Sequence, residues 1–334
     1  MPSLVSAVPS EECESELQVP VIDLSSLKKG NDEAEATLAK VNKACQEWGC
    51  FLVVNHGIDK EIVADMDSAT RETFKVSKEN KEKIQGEFAY IPSMPALPFL
   101  EILPVNGAPD PRAIQKFAEQ MWPQGNSKIC KIIEKYSAGI EELTREITQV
   151  IMKSFGVSKY YEESQHWGLL RMNYCDVPPQ ARGGLGPHTD HNLITVMYQD
   201  NSGGLELKTK LGGKWVDLKP LPDSFVVFTG DSLKAWSNGF IHSGIHRVVM
   251  SNKSPRVSLP YFFFFRDDAV VEAPPEFVDD HHPRLYTPFR YGDYKAYCKQ
   301  IKSARCEHKE FFERESDEAF LENFLGTSTG RGNL

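Results

Sequence analysis

The sequence has little positive charge to spare. Its 47 acidic side chains outnumber 38 lysines and arginines, giving a formal net charge of −9. Phosphate recognition needs clustered cations, so a nucleic-acid partner is not expected. No run of about 18 apolar residues exists, which argues against a membrane-spanning helix. The opening stretch MPSLVSAVPSEECESELQ lacks both a basic start and an apolar core, so it does not read as a secretory signal. The seven cysteines (Cys13, Cys45, Cys50, Cys130, Cys175, Cys298 and Cys306) have no framework spacing. They suit reduced thiols in a cytoplasmic protein.

What is present fits a large core. The chain has 334 residues, 40% of them hydrophobic and 19 of them Phe. That allows one large domain, with or without a helical extension. Residues 1–17 are small, polar and acidic and read as a disordered tail, and residues 326–334 read as a polar tail. Val19–Leu24 reads as a short strand and residues 32–48 as an amphipathic helix. Trp48–Gly57 reads as a strand and turn, with His56 a hydrogen-bonded turn residue rather than a ligand. Asp59 to about Lys83 reads as a second helix. Residues 88–111 carry six prolines among apolar side chains and predict a long irregular loop, either a lid or a packed cover. Tyr90, Met94 and Phe99 in it are candidate substrate-pocket residues. A long helix is expected from Ser127 to about Phe155, its apolar stripe facing a sheet. Trp167–Tyr174 reads as a strand. From 186 to 265, strands and turn signals recur about every ten residues, as in a β-sandwich or barrel. His281-His282 lies in a loop, where neighbours on an extended chain cannot both face one ion. Helical segments follow near 291–304 and 309–325.

The chemistry concentrates between residues 186 and 258. His188 and Asp190 are two apart, and in a strand such residues share a face. A third ligand must come from another strand, and both His242 and His246 lie within reach. His191, next to Asp190, would point to the opposite face of that strand. Two histidines and a carboxylate on one face of an octahedral ion leave its other positions open, as in non-haem Fe(II) oxygenases. A structural zinc site would want a closed ligand set, usually with cysteine. Downstream come Gly230-Asp231-Ser232, the turn signal Asn238-Gly239, His246-Arg247-Val248 and Arg256-x-Ser258.

This order of motifs resembles the plant-type 2-oxoglutarate- and Fe(II)-dependent dioxygenases, over nearly the whole chain from about residue 18 to 310. The family frame runs His-x-Asp, a long gap, His-Arg-Val, then Arg-x-Ser. It selects His246 over His242, which becomes a pocket wall or a solvated strand residue. The resemblance implies iron held by His188, Asp190 and His246, and 2-oxoglutarate held by Arg256 and Ser258. Tyr174, from an Arg-x-Asn-Tyr strand, is implied as a further cosubstrate contact. Cys175-Asp176 departs from the family pattern there, where a second tyrosine is usual. Arg171 and Phe263 are expected in the substrate pocket.

The implied fold is a β-rich α+β one, with a double-stranded β-helix (jelly-roll) core, an N-terminal helical region and a C-terminal helical wrap. The expected divisions are 18–125 for the N-terminal region, 126–165 for the backing helix and linker, 166–268 for the jelly roll and 269–325 for the wrap. The implied activity is oxidation of a small plant hormone or specialised metabolite by a monomer, with hydroxylation the default outcome. Iron, 2-oxoglutarate and O2 are consumed or bound, with ascorbate as a supporting reductant. Met121–Asn126 and His282–Leu285 are similar to the subgroup that oxidises glucosinolate side chains, and Ala235–Gly239 to the auxin-oxidising subgroup. Two other readings share the ligands: a catalytically silent jelly-roll binding protein, and a metal-dependent hydrolase, which has no need of Arg256-x-Ser258.

Overall fold

The structure, a computed structural model, describes residues 18–95, 97–162, 166–250, 254–306 and 320–325. The tails expected at 1–17 and 326–334, and most of the helix expected from 309, lie outside them.

Capping residues and apolar spacing set the N-terminal helices. α1 (Asn31–Glu47) buries Val41, Ala44 and Cys45. α2 (Lys60–Phe74) begins at Asp59, whose carboxylate accepts from Glu61 N at 2.9 Å. The single helix expected to Lys83 stops at Phe74. Ser77 then caps a new short helix, α3 (Lys78–Lys81), by accepting from Asn80 N. A further helix, α4 (Pro111–Met121), was not anticipated, although Asp110 at the cap and proline in the first turn are a legible start signal. α5 (Ser127–Ser154) starts at Asn126, which accepts from Ile129 N at 3.1 Å. Its stripe of Ile129, Ile133, Tyr136, Ile140, Leu143, Ile147 and Ile151 is buried.

Two sheets face each other. The larger contains β1 (Val21–Asp23), β2 (Cys50–Val54), β3 (Leu100–Val105), β4 (His166–Cys175), β6 (Ile194–Gln199), β9 (Ser224–Thr229) and β11 (Arg256–Phe265), in the order β1-β2-β9-β6-β11-β4-β3. The smaller contains β5 (Gly183–His188), β7 (Leu205–Lys208), β8 (Trp215–Asp217) and β10 (His246–Met250), in the order β5-β10-β7-β8. From β4 to β11 the chain passes back and forth between the sheets, which is the path of a jelly roll. Only β1–β2 is parallel; the other pairs of both sheets are antiparallel. α5 backs the larger sheet, and the main core lies between them.

The proline-rich stretch is not one irregular loop. Leu100–Val105 forms β3, which pairs with β4 and includes Pro104 opposite Arg171. β3 is the outermost strand of its sheet, where a missing amide donor costs no ladder hydrogen bond.

α6 (Asp231–Trp236) follows β9. After β11 come a small pair, β12 (Val270–Val271) and β13 (Phe289–Arg290), then α7 (Tyr291–Cys306) and α8 (Phe320–Leu325). α7 is tied inward by Tyr294, whose hydroxyl donates to the buried Asp231 carboxylate at 2.9 Å.

Candidate active site

His188 is the last residue of β5 and His246 the first of β10, and the two are direct partners in the smaller sheet. Their rings lie 4.2 Å apart, centroid to centroid. Each ring donates its Nδ1 proton to the carbonyl two residues earlier: His188 to Gly186 O at 2.8 Å, His246 to Gly244 O at 3.0 Å. That tautomer leaves Nε2 of both as the ligating atom. Phe228 stacks on His246 at 4.0 Å and fixes its plane.

Asp190 lies past the end of β5, not on the strand with His188 as the two-residue spacing suggested. His191 is likewise in a bend, with its ring 5.7 Å from Phe264. The apolar run after them is a separate strand, β6, in the opposite sheet. Asp190 still reaches the histidines because its surroundings hold it. Its backbone carbonyl accepts from Asp231 N at 2.8 Å, and its Oδ2 accepts from Thr195 Oγ1 at 2.5 Å. Oδ1 lies 3.9 Å from His188 Nε2. One ligand atom from each of His188, Asp190 and His246 falls within 4.8 Å of the others, so one ion can touch all three.

Strand geometry brings a cation to the same cavity. Arg256, Ser258, Pro260 and Phe262 alternate along β11 and line the space beside the three ligands, with Asn173 and Cys175 from β4. Arg256 is 3% exposed. It donates to Gly203 O at 2.9 Å, Ser258 Oγ at 2.9 Å and Gln199 Oε1 at 3.2 Å. All three acceptors are uncharged, and among the described residues no carboxylate pairs with it. Burial pulls the Arg256 pKa down, and the more distant charge of Asp200 opposes that shift. The acceptors orient the guanidinium without neutralising it. Gly184, also on the cavity wall, has φ +133°, and a side chain there would collide with Val248 O at 2.0 Å.

Other expected site residues are placed differently. Tyr174 alternates with Asn173 and Cys175, so it faces the helices and stacks on Phe74 at 5.2 Å, away from the cavity. Phe263 is also on the far face: it is fully buried, 5.2 Å from the His166 ring and 5.5 Å from the Arg145 guanidinium. Its neighbour Phe262 takes the cavity position. Tyr90 points to the helical side, where its hydroxyl donates to Glu101, itself paired with Lys81 at 2.6 Å. Met94 and Phe99 pack with Leu100, Leu185 and Val248, three residues that line the cavity, but do not themselves line it. Arg171 is on the cavity side of β4, between Phe88 and Phe262. His242 is neither pocket wall nor solvated strand residue: it lies in a loop with a buried, unpartnered Nε2, and burial pushes its pKa down to about 4.

Sequence reasoning missed Asn173, Thr195, Gln199, Phe228 and Phe262. For Phe262 the signal was there, since strand alternation from Ser258 reaches 260 and 262.

The chain matches the model of the 2OG-Fe(II) oxygenase superfamily over residues 166–265, and the model of the N-terminal region of non-haem dioxygenases in morphine synthesis over residues 19–91. It is 34% identical over 288 residues to the probable 2-oxoglutarate-dependent dioxygenase AOP1 of Arabidopsis thaliana, covering 83% of this chain and 95% of that protein. The chain belongs to the plant 2-oxoglutarate- and Fe(II)-dependent oxygenase family. A second relative, the 2-oxoglutarate-dependent dioxygenase DAO of Oryza sativa subsp. indica, is 33% identical over 84% of this chain and 93% of its own. The crystal structure of the rice dioxygenase for auxin oxidation superposes with a TM-score of 0.77 at 29% identity, over 91% of this chain and 99% of that one. The 2-oxoglutarate complex of the Arabidopsis thaliana dioxygenase for auxin oxidation gives 0.73 at 28% identity, over 80% and 100%.

As a member of that family the protein is a 2-oxoglutarate-dependent dioxygenase that uses Fe(II). The silent-binder and hydrolase readings are not favoured. The donor set suits the metal: two imidazoles whose Nδ1 atoms are held on carbonyls and one carboxylate, without thiolate, match an iron centre with open positions. Among the described residues, no helix is long and apolar enough to cross a membrane.

Proposed function

We propose that His188, Asp190 and His246 hold the iron, through Nε2 of each histidine and a carboxylate oxygen, and that Arg256 with Ser258 receives the distal carboxylate of 2-oxoglutarate. The substrate is a small plant hormone or specialised metabolite. Hydroxylation is the expected outcome, with 2-oxoglutarate converted to succinate and CO2. One observation carries the reading: a buried guanidinium with only uncharged acceptors shares a cavity with the two-histidine, one-carboxylate cluster.

When bound, the iron supplies the site at which the keto acid and O2 meet and the substrate is oxidised. The chain's own residues do the rest. Thr195 holds Asp190, Phe228 holds His246, and Gly186 and Gly244 fix the imidazole tautomers. Gln199 and Gly203 aim the Arg256 fork, which suits a planar carboxylate. Apolar walls from Met197, Leu205, Phe228 and Phe262 limit water.

The class of substrate is supported by the relatives named for auxin oxidation. The site is formed within one chain, which supports action as a monomer. Free thiols at Cys45, Cys50, Cys130, Cys175 and Cys298 support a reducing compartment such as the cytoplasm. The test is a metabolite screen with Fe(II), 2-oxoglutarate, O2 and ascorbate as reductant, reading succinate and substrate mass. A gain of one oxygen atom is the expected result; loss of two hydrogens would mean desaturation. Failure of wild type to bind 2-oxoglutarate would overturn the reading.

A further inference from the structure

Arg256 is the first residue of β11, and the strand ladder fixes it on one side only. Toward β4 it pairs with Cys175. Toward β6 the pairing begins two residues later, at Ser258 opposite Gln199. A side chain that must aim a fork at a carboxylate therefore springs from a strand end, where backbone is least constrained.

One ion pair holds the backbone on the open side. Asp200 follows the last residue of β6 and takes the place of a strand partner. Its amide donates to Val257 O at 3.1 Å, and its Oδ2 accepts from Val257 N at 2.8 Å. Arg71 of α2 holds the residue before Arg256: its Nη1 donates to Pro255 O at 2.8 Å. Its Nη2 binds the same Oδ2 of Asp200. The two chain neighbours of Arg256 are thus held by the two members of one pair.

Asp200 also shapes the turn that receives the Arg256 side chain. Its Oδ1 accepts from Ser202 N at 2.9 Å, and the next carbonyl, Gly203 O, accepts from Arg256 Nε at 2.9 Å. Gln199, the residue before Asp200, accepts from Arg256 Nη2 at 3.2 Å. Backbone and side chain of Arg256 are both set by groups that adjoin Asp200. Asp200 is buried, and its charge favours the ionised form of Arg256. Arg71 is braced along its own helix by Asp67, one turn earlier, with Nε to Oδ1 at 2.7 Å. Neither Arg71 nor Asp200 lines the iron cavity. Each acts on a molecule there only through Arg256.

We infer that the Arg71–Asp200 pair sets the aim of Arg256, so that the N-terminal helix α2 takes part in selecting a 2-oxo acid with a distal carboxylate. Both are positioning residues. The inference rests on the cosubstrate role proposed above for Arg256.

The test uses the full chain loaded with Fe(II) under anaerobic conditions, titrated with two keto acids and followed by the visible absorption of the iron–keto acid pair. One is 2-oxoglutarate. The other is 2-oxopentanoate, the same chain with a methyl group in place of the distal carboxylate. Wild type should prefer 2-oxoglutarate. Asp200→Asn and Arg71→Met should each weaken 2-oxoglutarate roughly tenfold, the effect of one lost hydrogen bond transmitted through Arg256. Neither should change iron content or the affinity for 2-oxopentanoate, so the preference itself shrinks. The double variant should be little worse than the worse single one, because both act on one pair. Arg71→Lys should recover part of the preference, since it keeps the charge on Asp200 and loses the fork to Pro255. Arg145→Met breaks a different ion pair, with Glu141 on α5, and should leave the preference at its wild-type value.

Folded variants of Arg71 and Asp200 that keep the wild-type preference would overturn the inference. So would equal weakening of both keto acids, which is what a loosened fold produces. Should Asp200→Asn fail to fold, Arg71→Met and Arg71→Lys, made at a partly exposed side chain, carry the same two outcomes. Wild type that binds both keto acids equally sinks the cosubstrate role of Arg256; wild type with the preference, and variants that share it, sink this inference alone.

Discussion

His188 and His246 stand directly opposite one another in the β5–β10 pairing, and each pins its Nδ1 on the carbonyl two residues before it. Metal binding is therefore written into the register of the smaller sheet. A slip of one residue would turn an imidazole to the other face. The larger sheet completes the site from across the cavity, with Thr195 of β6 on Asp190 and Arg256 of β11 facing it.

His188→Ala, Asp190→Ala and His246→Ala should each abolish turnover and lower the iron bound per chain, measured by elemental analysis after dialysis. His191→Ala and His242→Ala should keep wild-type iron content. Iron lost from His242→Ala but retained by His246→Ala would reverse the ligand assignment.

Thr195→Val removes the hydroxyl that donates to Asp190 while keeping the side chain's shape. Loss of such a supporting bond should weaken metal affinity by roughly tenfold to hundredfold. Competition with a chelator of known affinity reads this directly. Unchanged affinity would mean that Asp190 is held by its backbone alone.

Neighbouring phenylalanines on β11 should separate function from stability. Phe262→Ala should change the KM for substrate and leave 2-oxoglutarate affinity intact. Phe263→Ala should cost about 3–5 kcal/mol in urea unfolding, because a fully buried ring leaves a cavity behind. If Phe263→Ala altered substrate KM and Phe262→Ala did not, the facing of the strand would be misread.

Much of this was legible in the sequence, for physical reasons that differ by element. The α5 stripe has one period and one buried face, so its extent was read almost to the residue. The ligand types and the Arg-x-Ser pair were legible because their chemistry restricts the residues allowed. Strand facing was not, where two aromatic or polar residues adjoin. Tyr174 and Phe263 each lie one residue from a position that lines the cavity, and the pairing partner decides which neighbour turns inward. β3 was hidden by Pro104, whose tolerance depends on β3 being an edge strand, which only the assembled sheet reveals. Asp190 shows the converse: the spacing argument assumed a strand, whereas a bend and the Thr195 hydroxyl bring the carboxylate to the histidines.

Acid should destabilise the fold partly through His166. Burial pushes its pKa down from 6.5 to about 4, and its Nε2 is buried without a partner. Between these values the unfolded chain binds the extra proton and the folded chain does not. Stability is therefore full above pH 6.5 and falls as the pH drops toward 4, by about 3 kcal/mol from this group. His166→Phe, which keeps the stacking on Phe263, should flatten that part of the curve in urea titrations at stepped pH. An unchanged slope would place the acid sensitivity elsewhere.

The central claim is that Arg256 completes an iron site by binding the distal carboxylate of 2-oxoglutarate. Anaerobic titration of the Fe(II)-loaded protein with 2-oxoglutarate, followed by the visible absorption of the iron–keto acid pair, tests it without turnover. Wild type should saturate. Arg256→Lys should need roughly tenfold to hundredfold more 2-oxoglutarate, the cost of losing one of two charge-assisted bonds. Arg256→Ala should be weaker still, with iron content unchanged in both. An Arg256→Ala protein that binds 2-oxoglutarate as tightly as wild type would contradict the account.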